Sequence, residues 1–298
     1  MNLVSDDASL KRAFDWFRSQ EDFARRFGEA IRRSFDEVFD GQRTGRYCLD
    51  QLTKVEKTYI GTKVEIIVQD EFGLSRGNRM DFLVADQEVD AKWTMKSGAW
   101  MIPTEAVGEI CLCLTADDNR SVFSVGMIRP DDLLLGSAKN KDGKRRFNDL
   151  GNQSMTWLVE SGQLPENVLL HLSAEIRDRV LDKSKNGQQR VGDLFRLVQK
   201  RLISREVLLA VAHQQDGPKR ARDARLSLRS DGILILGHQA EHQRIARELG
   251  LDVPEKGSWI SCRVVPATKG IVFITKIGES NWTPAIDDEA FVEGPESY

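Results

Sequence analysis

The chain has 298 residues, enough for about two domains, with 40% hydrophobic residues, 30% charged residues and a formal net charge of −3. No apolar run reaches the roughly eighteen residues of a membrane-spanning helix, and the N-terminal stretch Met1-Asn2-Leu3-Val4-Ser5-Asp6-Asp7 lacks the basic and apolar regions of a secretory signal. Cys48, Cys111, Cys113 and Cys262 have no metal-ligand spacing, so they read as reduced, ordinary residues of a cytoplasmic protein without zinc.

Residues 8–18 and 20–39 read as two helices. In the second, Phe23, Phe27, Ile31 and Phe35 recur every fourth position as an apolar stripe, expected to pack on its own domain rather than on a partner subunit. Ser19 is placed to cap this helix, with Asp22 in the capping-box position, and Asp40-Gly41-Gln42 ends it. Residues 50–140 carry a core in which Lys57 to Glu65 looks helical. Val64 to Val68 reads either as the end of that helix or as the start of a strand. Val107 to Leu114 and Val122 to Ile128 read as apolar central strands. Lys139 to Arg146 is a basic loop, equally readable as solvated surface or as a phosphate contact. Asn148 to Val159 looks helical, and Gly162-Gln163-Leu164-Pro165 marks a boundary between domains at 1–162 and 163–298.

Between these elements lies the stretch richest in chemistry, Met80-Asp81-Phe82-Leu83-Val84-Ala85-Asp86-Gln87-Glu88-Val89-Asp90-Ala91-Lys92-Trp93. It predicts two short strands joined at Asp86-Gln87. Strand side chains alternate, so Glu88, Asp90 and Lys92 share one face while Val89, Ala91 and Trp93 share the other. Such a set, with Asp81 beside it and Glu65 carried in on the preceding helix, suits Mg²⁺-assisted hydrolysis of a phosphodiester. Carboxylate oxygens are hard ligands for the cation, and a lysine steadies the nucleophile or the developing charge. The same residue types also occur in plain surface hairpins, where an ion pair is worth little.

The C-terminal half is basic. From Arg177 to Arg229 there are fourteen Lys and Arg against six Asp and Glu, while acids collect in the tail from Asp287-Asp288-Glu289 to Glu296. Such asymmetry in an acidic protein is a common shape for a specific DNA binder. Helices are expected at about 166–182, 188–201, 205–215 (capped by Ser204) and 219–230. Asp216-Gly217-Pro218 reads as a turn, and Ile233 to Leu236 as a strand. Turns at Leu251-Asp252-Val253-Pro254 and Lys256-Gly257-Ser258 precede a last β region, Trp259 to Ile277, and the tail after Trp282 reads as loosely held. Helix, tight turn, basic helix and strand is the order of a winged helix-turn-helix. Lys219, Arg220, Arg222, Arg225 and Arg229 decorate the fourth helix as candidate DNA contacts, with Ala221, Ala224 and Leu228 packed inward. The histidines (His171, His213, His238 and His242) are scattered, which argues against histidine-based hydrolysis.

The hairpin resembles that of the PD-(D/E)xK nuclease superfamily, and Lys57-Thr58-x-x-Gly61-x-x-x-Glu65 resembles the mismatch-repair nicking enzyme MutH. From Arg46 onward the sequence is similar to the NaeI type of restriction endonuclease. The supporting stretches are Asp50 to Thr58, Gly98 to Glu105, Val125 to Arg129 and Lys144-Arg145-Arg146. The resemblance implies an active site at Glu65, Asp81, Asp90 and Lys92. Asp81 and Asp90 would hold Mg²⁺, and Glu65 would complete the metal site or orient a water. Lys92 would act as an electrostatic partner of the nucleophile, its charged form favoured by the neighbouring acids. Lys54 and Lys57 are phosphate-contact candidates.

The expected protein is therefore an α/β (α+β) nuclease domain with a central mixed sheet, followed by a mainly helical winged-helix effector domain. It would be a homodimer making Mg²⁺-dependent double-strand cuts in DNA at a GC-rich palindrome such as GCCGGC, activated by a second DNA copy. A MutH-like nicking enzyme and a DNA-binding regulator on a non-cutting nuclease fold remain as alternatives.

Overall fold

The structure, a computed structural model, describes residues 7–214, 216–268, 272–286 and 289–298. The chain forms two compact units, one of residues up to Val38 with Leu52–Glu166, the other of Phe39–Gln51 with Asn167–Tyr298. The division thus lies after Glu166, and the expected boundary at 162/163 falls inside a strand.

In the first unit, α1 (Ala8–Ser19) starts at Asp7, whose carboxylate accepts from the backbone N–H of Ser9 and Leu10. Helix α2 (Phe23–Phe39) buries Phe27, Ile31 and Phe35 fully, as its stripe predicts. Ser19 does not cap it. Ser19 closes α1, its hydroxyl donating to the Trp16 carbonyl, because a turn intervenes in which Asp22 takes a positive φ of 50°. A single turn, α3 (Gly41–Thr44), follows in the segment that belongs to the second unit.

Helix α4 (Lys54–Phe72) is continuous through residues 64–68 and excludes a strand there. Thr53 and Glu56 form a reciprocal capping box at its start, and Gly73 ends it in the left-handed region. Strands β1 (Ser75–Arg76), β2 (Phe82–Val84) and β3 (Gln87–Thr94) come next. Val84 pairs with Gln87, so the hairpin turn is Ala85-Asp86, one residue earlier than expected. Both turn residues have positive φ, 47° and 61°, the geometry whose twist matches that of the strands.

The rest of this unit is β4 (Met101–Ile102), β5 (Ile110–Asp117), β6 (Val122–Ile128), β7 (Leu135–Lys139), β8 (Arg145–Phe147), α5 (Asp149–Gln153) and β9 (Thr156–Gln163). The main sheet has the order β1-β2-β3-β5-β6-β9. β3 and β5 run parallel and the other neighbours antiparallel, which makes the sheet mixed, as expected. β5 is buried from Ile110 to Ala116 and forms its middle. The expected helix from Asn148 to Val159 is corrected. Asn148 does cap a helix, α5, but that helix ends at Gln153, and Thr156-Trp157-Leu158-Val159 pair with β6. Their β-branched and aromatic side chains fit a half-buried pleat. β4, β8 and β7 form a small second sheet.

The second unit contains α6 (Ala174–Val180), α7 (Gly187–Leu197), β10 (Leu202–Ser204), α8 (Arg205–Ala212), α9 (Gly217–Leu228), β11 (Ile233–Leu236), α10 (Ala240–Glu248), β12 (Ser258–Pro266), β13 (Thr275–Ile277) and β14 (Ser280–Pro284). The expected helix 166–182 is split, because Ser173 caps a fresh start at α6. Gly217 and Pro218 are the first residues of α9 rather than a turn, a position where proline's missing N–H costs nothing. Gln215, the expected end of the third helix, lies outside the described residues. Ser204 caps α8 as expected.

Ile260 of β12 lies opposite Leu202 of β10 on one side and Leu236 of β11 on the other. Leu194, Phe195, Ile203, Leu208 and Val211 form the core with Ala221, Ala224 and Leu228, the inward face of α9. Helix α10, which was not among the expected elements, covers Leu234, Leu236, Ile260 and Cys262 with Ile245, Ala246 and Leu249. Among the described residues no helix is long and apolar enough to cross a membrane.

Candidate active site

In the first unit, α4 and the β2–β3 hairpin bring four sequence-predicted residues together. Lys54, Lys57, Thr58, Gly61 and Glu65 recur at helical spacing, so they share one face of α4. All five line a cavity of about 530 Å³ with Lys92, Trp93, Met101 and Lys144. Helix α4 packs against β3 at Gly61, where a Cβ would meet the Trp93 side chain at 3.5 Å, an ordinary packing distance. Trp93 is held from another side by Phe35, with ring centroids 5.7 Å apart.

Asp81 sits in a bend before β2. Its Oδ2 accepts from the backbone N–H of Ala91 at 2.7 Å, which pins the carboxylate beside Asp90 and Lys92. Asp90 is buried, and its Oδ2 meets Nζ of Lys92 at 2.5 Å as an ion pair without hydrogen-bond geometry. Burial pushes the Asp90 carboxyl up to about 6, against the attraction of Lys92 and with further repulsion from Asp81. Burial also raises Glu65, and the neighbouring Asp81 adds to it while Lys92 opposes. Three carboxylates and one ammonium therefore act on one another at one end of a lysine-lined cleft.

The donor set has chemistry that suits a divalent cation. The donors are hard oxygens, they repel one another, and one of them is sealed from water with only an ion pair to compensate. Among the described residues no group of three or more His, Cys, Asp or Glu is arranged to hold a metal by itself. Mg²⁺ is ordinarily bound through one or two carboxylates, with waters and substrate phosphate completing its shell. Asp81 and Asp90 fit that demand.

Glu88 was expected to project beside Asp90 and Lys92. Its carboxylate instead accepts from the backbone N–H groups of Asn78, Arg79 and Met80, at 2.9, 3.3 and 3.0 Å. These bonds lower its carboxyl from the usual range and gather the loop that presents Asp81. The sequence signal was the polar run Gly77-Asn78-Arg79 before Asp81, whose amides need an acceptor. Lys144, from the β7–β8 connection, enters the cleft and gives the basic loop a place in the site. Cys111, opposite Asp90 on β5, is buried, and burial pushes its thiol up to about 12, so it is inert.

In the second unit, the basic residues of α9 do not all face outward. Lys219 and Arg222 are exposed. Arg220 pairs with Asp216 at 3.1 Å. Arg225 is turned inward, its Nε donating to the Ile235 carbonyl at 2.8 Å, which ties α9 to β11. Arg229 contacts the C-terminal tail, with Nη2 at 3.1 Å from Glu293 and 3.5 Å from Glu296. The expectation of five outward cations is therefore corrected, because Arg225 satisfies a strand carbonyl and Arg229 is occupied by acids. The tail is also better held than expected over 289–298, where the Tyr298 hydroxyl accepts from the Ile235 N–H at 2.9 Å. Asp287 and Asp288 lie outside the described residues.

A family profile described as "Restriction endonuclease NaeI" matches residues 11–293. The chain is also 39% identical to the type II restriction enzyme NaeI of Lentzea aerocolonigenes, over 99% of this chain and 96% of that relative.

Proposed function

Because the chain belongs to the NaeI family of restriction endonucleases, and is thus a site-specific deoxyribonuclease, we propose that it cuts DNA with Glu65, Asp81, Asp90 and Lys92. The observation that carries this reading is the mutual electrostatic strain of the cluster, with Asp90 buried and pushed up beside Asp81 at the end of a cleft lined by Lys54, Lys57 and Lys144. Asp81 and Asp90 would hold Mg²⁺, whose charge would offset the carboxylate repulsion and supply electrophilic assistance at the scissile phosphate. Lys92 balances the acids and positions the nucleophile, and Glu65 orients the attacking water. Lys54, Lys57 and Lys144 grip the backbone on either side.

The sheet of the first unit, with its acid-bearing hairpin and α4, is that of a PD-(D/E)xK core. In the second unit, β10, α8, α9, β11 and β12 follow the order of a winged helix-turn-helix, with β12 between β10 and β11. Lys219 and Arg222 are its exposed readers on α9. The enzyme acts as a homodimer, since two cuts in a palindrome call for two active sites related by a two-fold axis. The second unit holds an effector copy of a GC-rich palindromic site.

Two measurements test this. Asp81→Ala should lose at least about a hundredfold in plasmid cleavage with Mg²⁺, because the ion supplies several kcal/mol of charge stabilisation. Its DNA binding in Ca²⁺ should be kept. A one-site plasmid should be cut slowly and be accelerated by a short duplex carrying the site. Full cleavage by Asp81→Ala overturns the site, and equal rates on one-site and two-site plasmids with no response to duplex overturn the effector.

A further inference from the structure

The C-terminal tail lies on the surface proposed to meet DNA. It is anchored at one point and charged at another. The anchor is Tyr298, whose hydroxyl takes the Ile235 N–H and whose main-chain oxygen lies 3.2 Å from Nε2 of the buried His242. Its ring packs on the His242 ring with centroids 5.3 Å apart. Further back, Phe291 lies under the Arg263 guanidinium at 5.1 Å, and the Gly294 N–H donates to the Arg229 carbonyl at 2.8 Å. Gly232 shows how closely the tail is laid down. A Cβ there would come within 2.5 Å of the Val292 carbonyl oxygen.

The charged part is Glu293 and Glu296. Both carboxylates reach Nη2 of Arg229, at the C-terminal end of α9, while Arg222, Arg225 and Arg229 line a cavity of about 350 Å³ with Gly294 to Tyr298. The two glutamates are 66% and 86% exposed. Ion pairs that open to water add little to stability. The fold therefore does not need these acids to hold the tail, because Tyr298, Phe291 and Gly294 do so. What the acids do supply is negative charge, presented to an arginine in the way a phosphodiester would be.

We infer that Arg229 is a backbone-phosphate subsite of the second unit and that Glu293 and Glu296 occupy it as an intramolecular substitute for DNA. The tail competes with the effector duplex, and a duplex must displace two carboxylates before its phosphate reaches Arg229. This rests on the reading that α9 faces DNA. It adds that the chain lowers its own affinity there, which favours a specific duplex with many contacts over weak encounters.

The test uses the full chain with Ca²⁺ and a fluorescent 30-base-pair duplex of arbitrary sequence at low salt. Glu293→Gln/Glu296→Gln should melt with wild type and bind about three- to tenfold more tightly. In an Arg229→Ala background the same pair of changes should give no gain. An unchanged or weaker affinity for the double variant overturns the inference, and so does a gain that persists without Arg229, which would be a long-range charge effect. Lys219→Ala/Arg222→Ala separates the two readings. If that variant binds more weakly while the glutamate variant gains nothing, only the tail inference falls. If neither changes affinity, the assignment of α9 to DNA falls with it.

Discussion

Asp90→Asn should make the metal-free protein more stable at neutral pH while destroying its activity. In the folded chain burial holds this carboxyl at about 6, compared with 3.8 in the unfolded one, so ionising it costs the native state up to about 3 kcal/mol. The direction follows from proton counting. Between pH 3.8 and 6 the native state binds the proton more tightly than the unfolded state. This group therefore favours folding at low pH, and that contribution is lost as pH rises through about 6. Asparagine is nearly isosteric and carries no charge to bury. In EDTA at pH 7.5, Asp90→Asn should gain about 1–3 kcal/mol, or several degrees in the melting of the first unit. At pH 4 the two proteins should melt together. Urea and thermal unfolding from pH 4 to 8 would measure it. If Asp90→Asn is less stable than wild type at pH 7.5, the ion pair with Lys92 outweighs burial and the electrostatic account of this site is wrong. Added Mg²⁺ should raise the melting temperature of wild type and not of the variant, because binding to the native state stabilises by mass action.

Glu88→Gln should lower cleavage at least about tenfold and raise the Mg²⁺ concentration needed, without lowering affinity for DNA in Ca²⁺, since a carboxylate holding three amides is replaced by a weaker acceptor. An unchanged Mg²⁺ requirement would make Glu88 a surface residue. Lys144→Ala should weaken binding to any duplex alike and reduce the dependence of log affinity on log salt by about one. A change confined to one sequence would mark it as a base reader instead. Replacing Ala85-Asp86 by Asn-Gly should raise stability by about 1 kcal/mol, because both positions require positive φ, which alanine adopts at a cost. A fall in melting temperature would refute the turn geometry.

The grouping of Glu65, Asp81, Asp90 and Lys92 was legible because phosphodiester chemistry of the proposed kind needs particular residue types at short spacing. The helix carrying Glu65 announces itself through Thr53 and Glu56, whose capping box forms as their spacing requires. The turn lies one residue earlier than the sequence suggests because alanine at position 85 gives no sign of positive φ. Asn148 did signal a helix, but nothing local says where it stops. The pairing of Thr156 to Val159 with β6 is a tertiary contact that overrides the helical reading. Arg225 and the tail depart from expectation for the same reason. An arginine on a basic helix looks solvent-facing until a strand carbonyl is placed beneath it. An acidic terminus looks loose until Tyr298 is seen docked on β11 and His242.

Plasmid cleavage by Lys92→Ala in Mg²⁺, read beside its melting curve and its duplex affinity in Ca²⁺, decides whether this cluster cuts the DNA. Lys92 makes an ion pair with Asp90 at 2.5 Å and lines the cleft, so its loss should remove cutting by at least about a hundredfold while folding and binding remain. Cleavage at the wild-type rate by a folded Lys92→Ala protein would show that the DNA is cut somewhere else on the chain.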